Sequence, residues 1–122
     1  MINALVIDDN RDTADSLCQL LTLLDVSASA AYGPRAAIYA LRDQQPDIIF
    51  LDINMPGVSG FEVLAYLRRE PKLKEVPVVV VTSDDQKSTA ERAREQGALD
   101  IIIKPVYFDA LETALRSASL ID

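Results

Sequence analysis

Short apolar segments alternate with longer amphipathic segments along this chain, and that alternation limits the folds it can form. An apolar run of about four to eight residues indicates a buried β-strand, whereas apolar residues recurring every three or four positions indicate a helix. The predicted strands cover residues 4–7, 26–31, 48–51, 76–81 and 101–103, and the predicted helices cover residues 12–24, 34–45, 60–69, 87–96 and 108–118.

Strict alternation of strands and helices predicts a parallel sheet with helices on both faces. Because crossovers between parallel strands are right-handed, few arrangements are open to five such units. We therefore expect an α/β fold, a doubly wound five-stranded parallel sheet with the flavodoxin-like strand order 2-1-3-4-5. No linker or internal repeat divides the chain, so residues 1–122 are expected to form a single domain.

The helical patterns also predict which side chains are buried. In the first predicted helix, Leu23 falls opposite the apolar stripe and is expected to be exposed. In the second, Ala37, Ile38 and Leu41 share one face and are expected to be buried. The helix at 87–96 is polar, and most of its charges are expected to be solvated.

The composition is that of an ordinary globular domain and excludes several kinds of catalytic site. The 122 residues are 49% hydrophobic and 25% charged, so disorder is not expected. The chain contains no histidine, which excludes Ser–His and Cys–His catalytic pairs and histidine zinc sites within it. Its single cysteine, Cys18, lies among leucines and is expected to be a buried, unreactive thiol in a reducing compartment.

Charge and hydropathy restrict the partners of the chain. The net charge of −7 disfavours direct binding to nucleic acid, because an acidic surface repels phosphate backbones. The N-terminus lacks the basic start and long apolar region of a signal peptide. The strongest apolar run, residues 76–81, is far shorter than the roughly 20 residues of a membrane span. We therefore expect a cytoplasmic protein that contacts no membrane.

Polar side chains follow the predicted strands at the point where each strand ends. Asp8 and Asp9 follow strand 1, Asp52 follows strand 3, Thr82 follows strand 4 and Lys104 follows strand 5. In an open parallel sheet, ligands bind beyond the carboxyl ends of the strands, where the winding direction reverses. For the order 2-1-3-4-5 this place lies between strands 1 and 3, so we expect the three carboxylates to converge there.

A crevice with three carboxylates suits a divalent cation and phosphoryl chemistry. Like charges held close together cost free energy, and Mg²⁺, which prefers oxygen ligands, removes that conflict. A carboxylate is also a nucleophile toward phosphorus and forms an aspartyl phosphate. The cation, Lys104 and the Thr82 hydroxyl would together neutralise the three equatorial oxygens of the transferring group.

Each of these residues also has a simpler interpretation. Asp8 or Asp9 could cap the helix that follows, and Asp52 could be a loop acid that begins a turn. Thr82 could bond its own backbone, and Lys104 could be a solvated lysine. Their occurrence together at the strand ends favours a functional site over these separate interpretations.

The motifs at the strand ends are weak individually and specific together. They are Asp8-Asp9, Asp52 with Met55-Pro56-Gly57 and Gly60, Thr82-Ser83, and Lys104-Pro105. With these motifs in this order and spacing, the whole chain resembles a response-regulator receiver domain of bacterial two-component signalling, similar to the chemotaxis regulators.

The resemblance implies a function and roles for three residues. Asp52 would be the phosphoacceptor, Thr82 the switch hydroxyl, and Lys104 the contact to a phosphoryl oxygen. The donor would be a phosphohistidine on a sensor histidine kinase or a histidine phosphotransfer protein. Phosphorylation would switch an output surface toward an unknown partner, and the domain would slowly dephosphorylate itself. Such a domain turns over no separate substrate and is not an enzyme in the usual sense.

The resemblance also implies the ligands of a magnesium ion. Asp9 and Asp52 would bind Mg²⁺ by their side chains and Asn54 by its backbone carbonyl, with Asp8 acting through water. In relatives, the positions of Asn54 and Asp84 tune how fast water removes the phosphoryl group. A cis bond is expected between the lysine and the proline of the last motif.

One position departs from the family pattern. Three residues before the lysine, relatives often carry a Tyr or Phe that swings inward on activation, and this chain has Ile101. A β-branched aliphatic side chain cannot make that movement, so a coupled aromatic switch is not expected.

Two other functions remain open on the sequence. A receiver-like domain could bind partners without phosphorylation, although the intact site residues argue against this. An aspartyl-phosphate phosphatase usually needs a second acid two residues after its nucleophile, and this chain has Asn54 there. No output domain follows the fifth predicted helix, and the sequence fits a stand-alone regulator or a piece of a larger regulator or hybrid kinase equally well.

Overall fold

Ten elements alternate strictly between strand and helix in a computed structural model that describes residues 1–122. The ends of the elements agree with the predicted ends within two residues. The strands are β1 (Ile2–Ile7), β2 (Val26–Ala31), β3 (Ile48–Asp52), β4 (Val78–Thr82) and β5 (Asp100–Ile103), and the helices are α1 (Arg11–Leu23), α2 (Pro34–Asp43), α3 (Gly60–Arg69), α4 (Lys87–Glu95) and α5 (Phe108–Ser117).

The five strands are parallel and lie in the order β2-β1-β3-β4-β5, which confirms the predicted topology. Ile7 of β1 pairs with Leu51 of β3, so the residues that follow this pair stand side by side. Asp52 pairs in turn with Val81, one residue before the end of β4. This register brings the carboxyl ends of β1, β3 and β4 to one edge of the sheet.

Two helical layers cover the sheet and enclose two apolar cores. Helices α2, α3 and α4 pack on one face, and α1 and α5 pack on the other. Helical residues in the core under α2, α3 and α4 include Ala37, Leu41, Leu64, Leu67 and Ala93, and those in the core under α1 and α5 include Leu17, Leu21, Leu111 and Leu115.

No helix in the chain is long and apolar enough to cross a membrane.

The start of β4 differs from the prediction. This strand begins at Val78 rather than at Val76, because Pro77 has no N–H to donate to a neighbouring strand. The predicted exposure of Leu23 is confirmed, since 72% of this residue is accessible to solvent.

Two side chains are less buried than their helical positions predict. Ile38 is half-buried, because its outer side faces a cleft between α2 and α3 rather than the sheet. Cys18 is half-buried at the margin of the apolar face of α1. Burial, with a smaller contribution from the charge of Asp15, still raises the pKa of the Cys18 thiol, which keeps it protonated and poorly nucleophilic.

Only Ala93 of α4 is buried, and cationic side chains make further contacts that hold the helix. The guanidinium of Arg92 stacks over the ring of Phe61 in α3, 3.9 Å from the ring centre. Just past the same end of the helix, Arg68 of α3 donates to the carbonyl oxygen of Gly97 at 2.9 Å. Most of the other charges on α4 are exposed, as predicted.

Gly60, the first residue of α3, lies directly against the end of β3. Its N–H donates to the carbonyl oxygen of Ile53 at 2.8 Å. A β-carbon here would lie 2.6 Å from the α-carbon of Ile53 and would overlap the carbonyl oxygen of Asp52. Glycine is therefore required for α3 to begin this close to Asp52.

Replacing Gly60 with alanine should destabilise the protein by about 2–3 kcal/mol, because the added carbon meets backbone that must shift. Gly57→Ala is the matched control, since its φ of 82° strains an alanine but no atom lies within 4 Å of the added carbon. This control should cost about 1 kcal/mol. Urea unfolding measures both variants, and equal losses would contradict the close contact at Gly60.

Candidate functional site

The three carboxylates predicted at the strand ends converge at one place. Asp8 and Asp9 follow β1, and Asp52 is the last residue of β3. One oxygen from each side chain lies within 4.8 Å of the other two. Asp8 and Asp52 are each 4% exposed, whereas Asp9 is exposed to solvent. The carboxylates thus form an acidic crevice that is buried on one side and open to solvent on the other.

Neither Asp8 nor Asp9 caps the helix that follows. Helix α1 is capped by Asn10, whose side chain accepts a hydrogen bond from the N–H of Thr13 at 3.0 Å. Asp8 Oδ1 instead accepts from the N–H of Asn10 at 2.9 Å, which fixes the Asp8 side chain in the crevice. The capping interpretation of both aspartates is therefore wrong.

Lys104 reaches into the crevice from the end of β5. Its Nζ lies 3.0 Å from Asp8 Oδ2 and 3.7 Å from Asp52 Oδ1, and its side chain is only 20% exposed. The peptide bond between Lys104 and Pro105 is cis, as predicted. Lys104 is therefore not a freely solvated lysine, because it bridges two buried carboxylates and offsets part of their repulsion.

Burial and repulsion raise the pKa of Asp52 from 3.8 to about 6. Desolvation of the carboxylate is the largest cause, and the negative charge of Asp8 adds to it. Lys104 acts in the opposite direction, as does the N–H of Asn54, which donates to Asp52 Oδ1 at 3.1 Å. Ionised Asp52 is thus held at a cost in free energy that a nearby cation would relieve.

Thr82 is fully buried at the end of β4, and its hydroxyl oxygen accepts two hydrogen bonds. One comes from the side-chain amide of Asn54 at 3.2 Å, and the other comes from the N–H of Asp84 at 3.1 Å. The bond from Asp84 is the local backbone contact that a strand-end hydroxyl commonly makes. The bond from Asn54 ties Thr82 to the loop that follows Asp52. The hydroxyl hydrogen remains available as a donor.

A polar cluster beside the site was not predicted from the sequence. The Asp84 carboxylate accepts from the hydroxyl of Thr89 at 2.6 Å and from the N–H of Gln86 at 2.9 Å, and these bonds lower its pKa. Asp84 thereby fixes the start of α4. An acid shortly before a helix start is typical of helix capping, and this is the signal that could have revealed the contact.

The crevice fits a magnesium ion. Mg²⁺ lies about 2.1 Å from its oxygen ligands in an octahedron, so ligand oxygens are about 3–4 Å apart. The oxygens of Asp8, Asp9 and Asp52 lie within 4.8 Å of one another, so small side-chain rotations bring them to such distances. The donors are all oxygens, which suit a hard cation better than one that prefers thiolates.

The sequence model of the response regulator receiver domain family matches residues 4–116. The chain belongs to this family. The resemblance seen in the sequence is thereby confirmed, and acceptance of a phosphoryl group is the general function of receiver domains.

Curated relatives of this receiver domain differ in how much of their own length it covers. The response regulator PleD of Caulobacter vibrioides is 39% identical over 114 residues, which are 93% of this chain and 25% of PleD. The receiver thus spans about a quarter of the length of that relative. The polar-differentiation response regulator DivK of Brucella ovis is 36% identical over 98 residues, which are 78% of this chain and 80% of DivK.

Solved structures share the fold over nearly the whole receiver. The chemotaxis protein CheY4 of Vibrio cholerae has a TM-score of 0.90 at 23% identity, over 97% of this chain and 98% of CheY4, and this likeness concerns the fold alone. A response regulator from Burkholderia pseudomallei has a TM-score of 0.86 at 26% identity, over 98% of this chain and 69% of its own. The Burkholderia structure contains a phosphorylated aspartic acid, a calcium ion and citrate.

Replacing Asp52 with asparagine should stabilise the metal-free receiver by about 1–3 kcal/mol at about pH 8, because a buried charge is removed. Between the pKa of 3.8 in the unfolded chain and the pKa of about 6 in the folded one, the folded state binds more protons. The destabilisation by ionised Asp52 therefore grows as the pH rises and is complete above about pH 6. Below about pH 4 the advantage of asparagine should vanish, because Asp52 is protonated in both states.

Urea unfolding in EDTA across this pH range measures the difference between the two proteins. Asp85→Asn, in the exposed loop before α4, is the matched control and should change stability by less than about 0.5 kcal/mol. Added Mg²⁺ should reduce the advantage of Asp52→Asn. A gain that did not depend on pH would contradict the raised pKa.

Proposed function

We propose that Asp52 accepts a phosphoryl group from a phosphohistidine donor, in a reaction that requires Mg²⁺. The observation that carries this proposal is the buried Asp52 carboxylate, held beside Asp8, Asp9 and the ammonium of Lys104. A nucleophile, two further acids and a cation in one crevice are the groups that phosphoryl transfer uses. The general function of the receiver family agrees with it.

In the transfer, a carboxylate oxygen of Asp52 forms a bond to phosphorus while the bond from phosphorus to the donor's imidazole nitrogen breaks. The donor's imidazole, protonated on its other nitrogen, leaves as a neutral ring with the electron pair of the broken bond. Asp52 must be ionised to attack, and its pKa of about 6 leaves most of it ionised near neutral pH.

Lys104 and Thr82 would stabilise the charge of the transferring group. Lys104 Nζ, 3.7 Å from Asp52 Oδ1, is near enough to pair with a phosphoryl oxygen if it exchanges its contact with Asp8. Thr82 keeps its hydroxyl hydrogen for a second phosphoryl oxygen. If Thr82 turned toward the phosphoryl group, it would release the Asn54 amide and the Asp84 N–H, which now donate to its oxygen. The loops that carry these two residues could then change conformation on phosphorylation.

Mg²⁺ would be held by Asp9, Asp52 and the backbone carbonyl of Asn54, with Asp8 acting through a water. When bound, the ion neutralises the carboxylates and the phosphoryl oxygens. The Burkholderia response regulator supports this pairing, because its structure contains both a phosphorylated aspartic acid and a divalent calcium ion.

The phosphoryl group would switch an output surface and would be lost slowly by hydrolysis within the receiver. Asn54 and Asp84 both donate to Thr82 beside Asp52, a placement suited to controlling the approach of water. Because Ile101 is half-buried against the core and carries no ring, the switch would run without an aromatic side chain at that position.

The partners follow from the same chemistry. The donor would be a sensor histidine kinase or a histidine phosphotransfer protein, and the switched surface would bind an output partner. The receiver modifies only itself and so would not be an enzyme in the usual sense. Its single unpaired cysteine suits a reducing compartment, which supports a cytoplasmic location.

Incubation with acetyl phosphate and Mg²⁺ should add one phosphoryl group to the receiver, measured by intact mass after a rapid quench. Asp52→Asn and EDTA should each abolish the gain, because one removes the nucleophile and the other removes the cation. Asp85→Asn is the control and should accept the group normally. Absence of any gain in the wild type, even with a phosphorylated histidine protein as donor, would contradict the proposal.

Replacing Lys104 with methionine should slow phosphorylation about 10- to 100-fold, because the variant keeps the length of the side chain and loses the cation near the transferring group. Lys87→Met on α4 is the matched control, since the Lys87 side chain is 90% exposed and pairs with Glu91 rather than with an acid of the crevice. The initial rate of mass gain measures both variants, with circular dichroism to check folding. Equal rates for the two variants would show that Lys104 does not assist phosphoryl transfer.

A further inference from the structure

A groove of about 580 Å³ lies between α2 and α3, on the face of the sheet opposite α1 and α5. Ile38 and Tyr39 of α2 line one side, Val63 and Tyr66 of α3 line the other, and Val58 belongs to the loop before α3. Ile38 is half-buried, and Tyr39 is 69% exposed. The groove therefore presents apolar side chains that the core leaves uncovered.

The apolar face of α2 is wider than its own core contact requires. The helical period groups Ile38 with Ala37 and Leu41, yet only the latter two are buried. Exposed apolar side chains that adjoin one another mark contact surfaces more often than single ones do. Tyrosine and arginine, both present here, are enriched at the centres of protein interfaces.

Two arginines of α2 line the same groove without a charged partner. Arg35 and Arg42 are seven positions apart, which places them on one side of the helix with α-carbons about 10 Å apart along its axis. Neither guanidinium has a carboxylate within 4.0 Å, and that of Arg42 lies 6.0 Å from the ring centre of Tyr39. Glu62 is the single acid of the groove. In a protein with a net charge of −7, this groove is locally cationic.

We propose that the α2–α3 groove binds an amphipathic helical segment of a partner protein, whose acidic residues pair with Arg35 and Arg42. The apolar stripe of such a helix would enter between Tyr39 and Tyr66, as in other helix-in-groove contacts. Acidic side chains two turns apart on the partner match the spacing of the two arginines. Apolar burial supplies most of the affinity, and the charges set orientation and specificity.

The groove shares no lining residue with the acidic crevice. Binding can therefore be measured on the unphosphorylated receiver, and its outcome does not depend on whether Asp52 accepts a phosphoryl group.

The test uses a fluorescein-labelled synthetic helical peptide with a leucine stripe flanked by two glutamates two turns apart. Its anisotropy is measured as the receiver is added, and a matched peptide carries lysines in place of the glutamates. We expect saturable binding of the glutamate peptide that weakens as salt is added, and at least about tenfold weaker binding of the lysine peptide.

Protein variants then locate the site. Tyr39→Ser should weaken binding about tenfold or more, because it removes a central aromatic anchor. Tyr107→Ser is the matched control, since Tyr107 is equally exposed at 69% but lies before α5, and it should leave binding unchanged. The double variant Arg35→Glu with Arg42→Glu should reverse the preference between the two peptides. Circular dichroism and urea unfolding show that each variant is folded.

Four results would overturn the proposal. Three come from the anisotropy measurements: equal binding of the two peptides, equal effects of Tyr39→Ser and Tyr107→Ser, or no binding of either peptide. The fourth is sedimentation of a dimer that Tyr39→Ser dissociates, because a second copy of the receiver would then cover the groove.

Discussion

Repulsion between buried carboxylates is the interaction on which the rest of the site depends. Asp8 and Asp52 are each 4% exposed, and burial together with the charge of Asp8 raises the pKa of Asp52 to about 6. Lys104 offsets part of this conflict by contacting both groups. Because the offset is incomplete, the folded state responds to any further charge in the crevice, whether a divalent cation or a phosphoryl group.

The parallel sheet is what forces these groups together. Ile7 pairs with Leu51, and Asp52 pairs with Val81, so β1, β3 and β4 end at the same edge of the sheet. Residues that are distant in the sequence therefore lie side by side there. Gly60 then lets α3 begin against the carbonyl end of β3, which holds the two ends of the loop after Asp52 together. The geometry of the site is therefore a consequence of strand order and of one close backbone approach.

The residues at the strand ends could be predicted because their position depends only on strand order, which the alternation of strands and helices determines. Two hydrogen bonds beside the site could not be predicted: the one from the Asn54 amide to Thr82, and the one from Thr89 at the start of α4 to Asp84. They depend on side-chain rotamers that are set by packing within loops. The helical period gives the wrong answer for Ile38. Periodicity reports the direction of a side chain, not whether a neighbouring helix covers it.

Reduction with borohydride tests most directly whether Asp52 itself carries the phosphoryl group. Borohydride converts an acyl phosphate to an alcohol, so a phosphorylated aspartate becomes homoserine, which tandem mass spectrometry assigns to a single residue. We predict homoserine at position 52 only after incubation with a phosphoryl donor and Mg²⁺, with Asp8 and Asp9 unchanged. Homoserine at Asp8 or Asp9, or a phosphorylated receiver that yields no homoserine, would contradict the assignment of Asp52 as the acceptor.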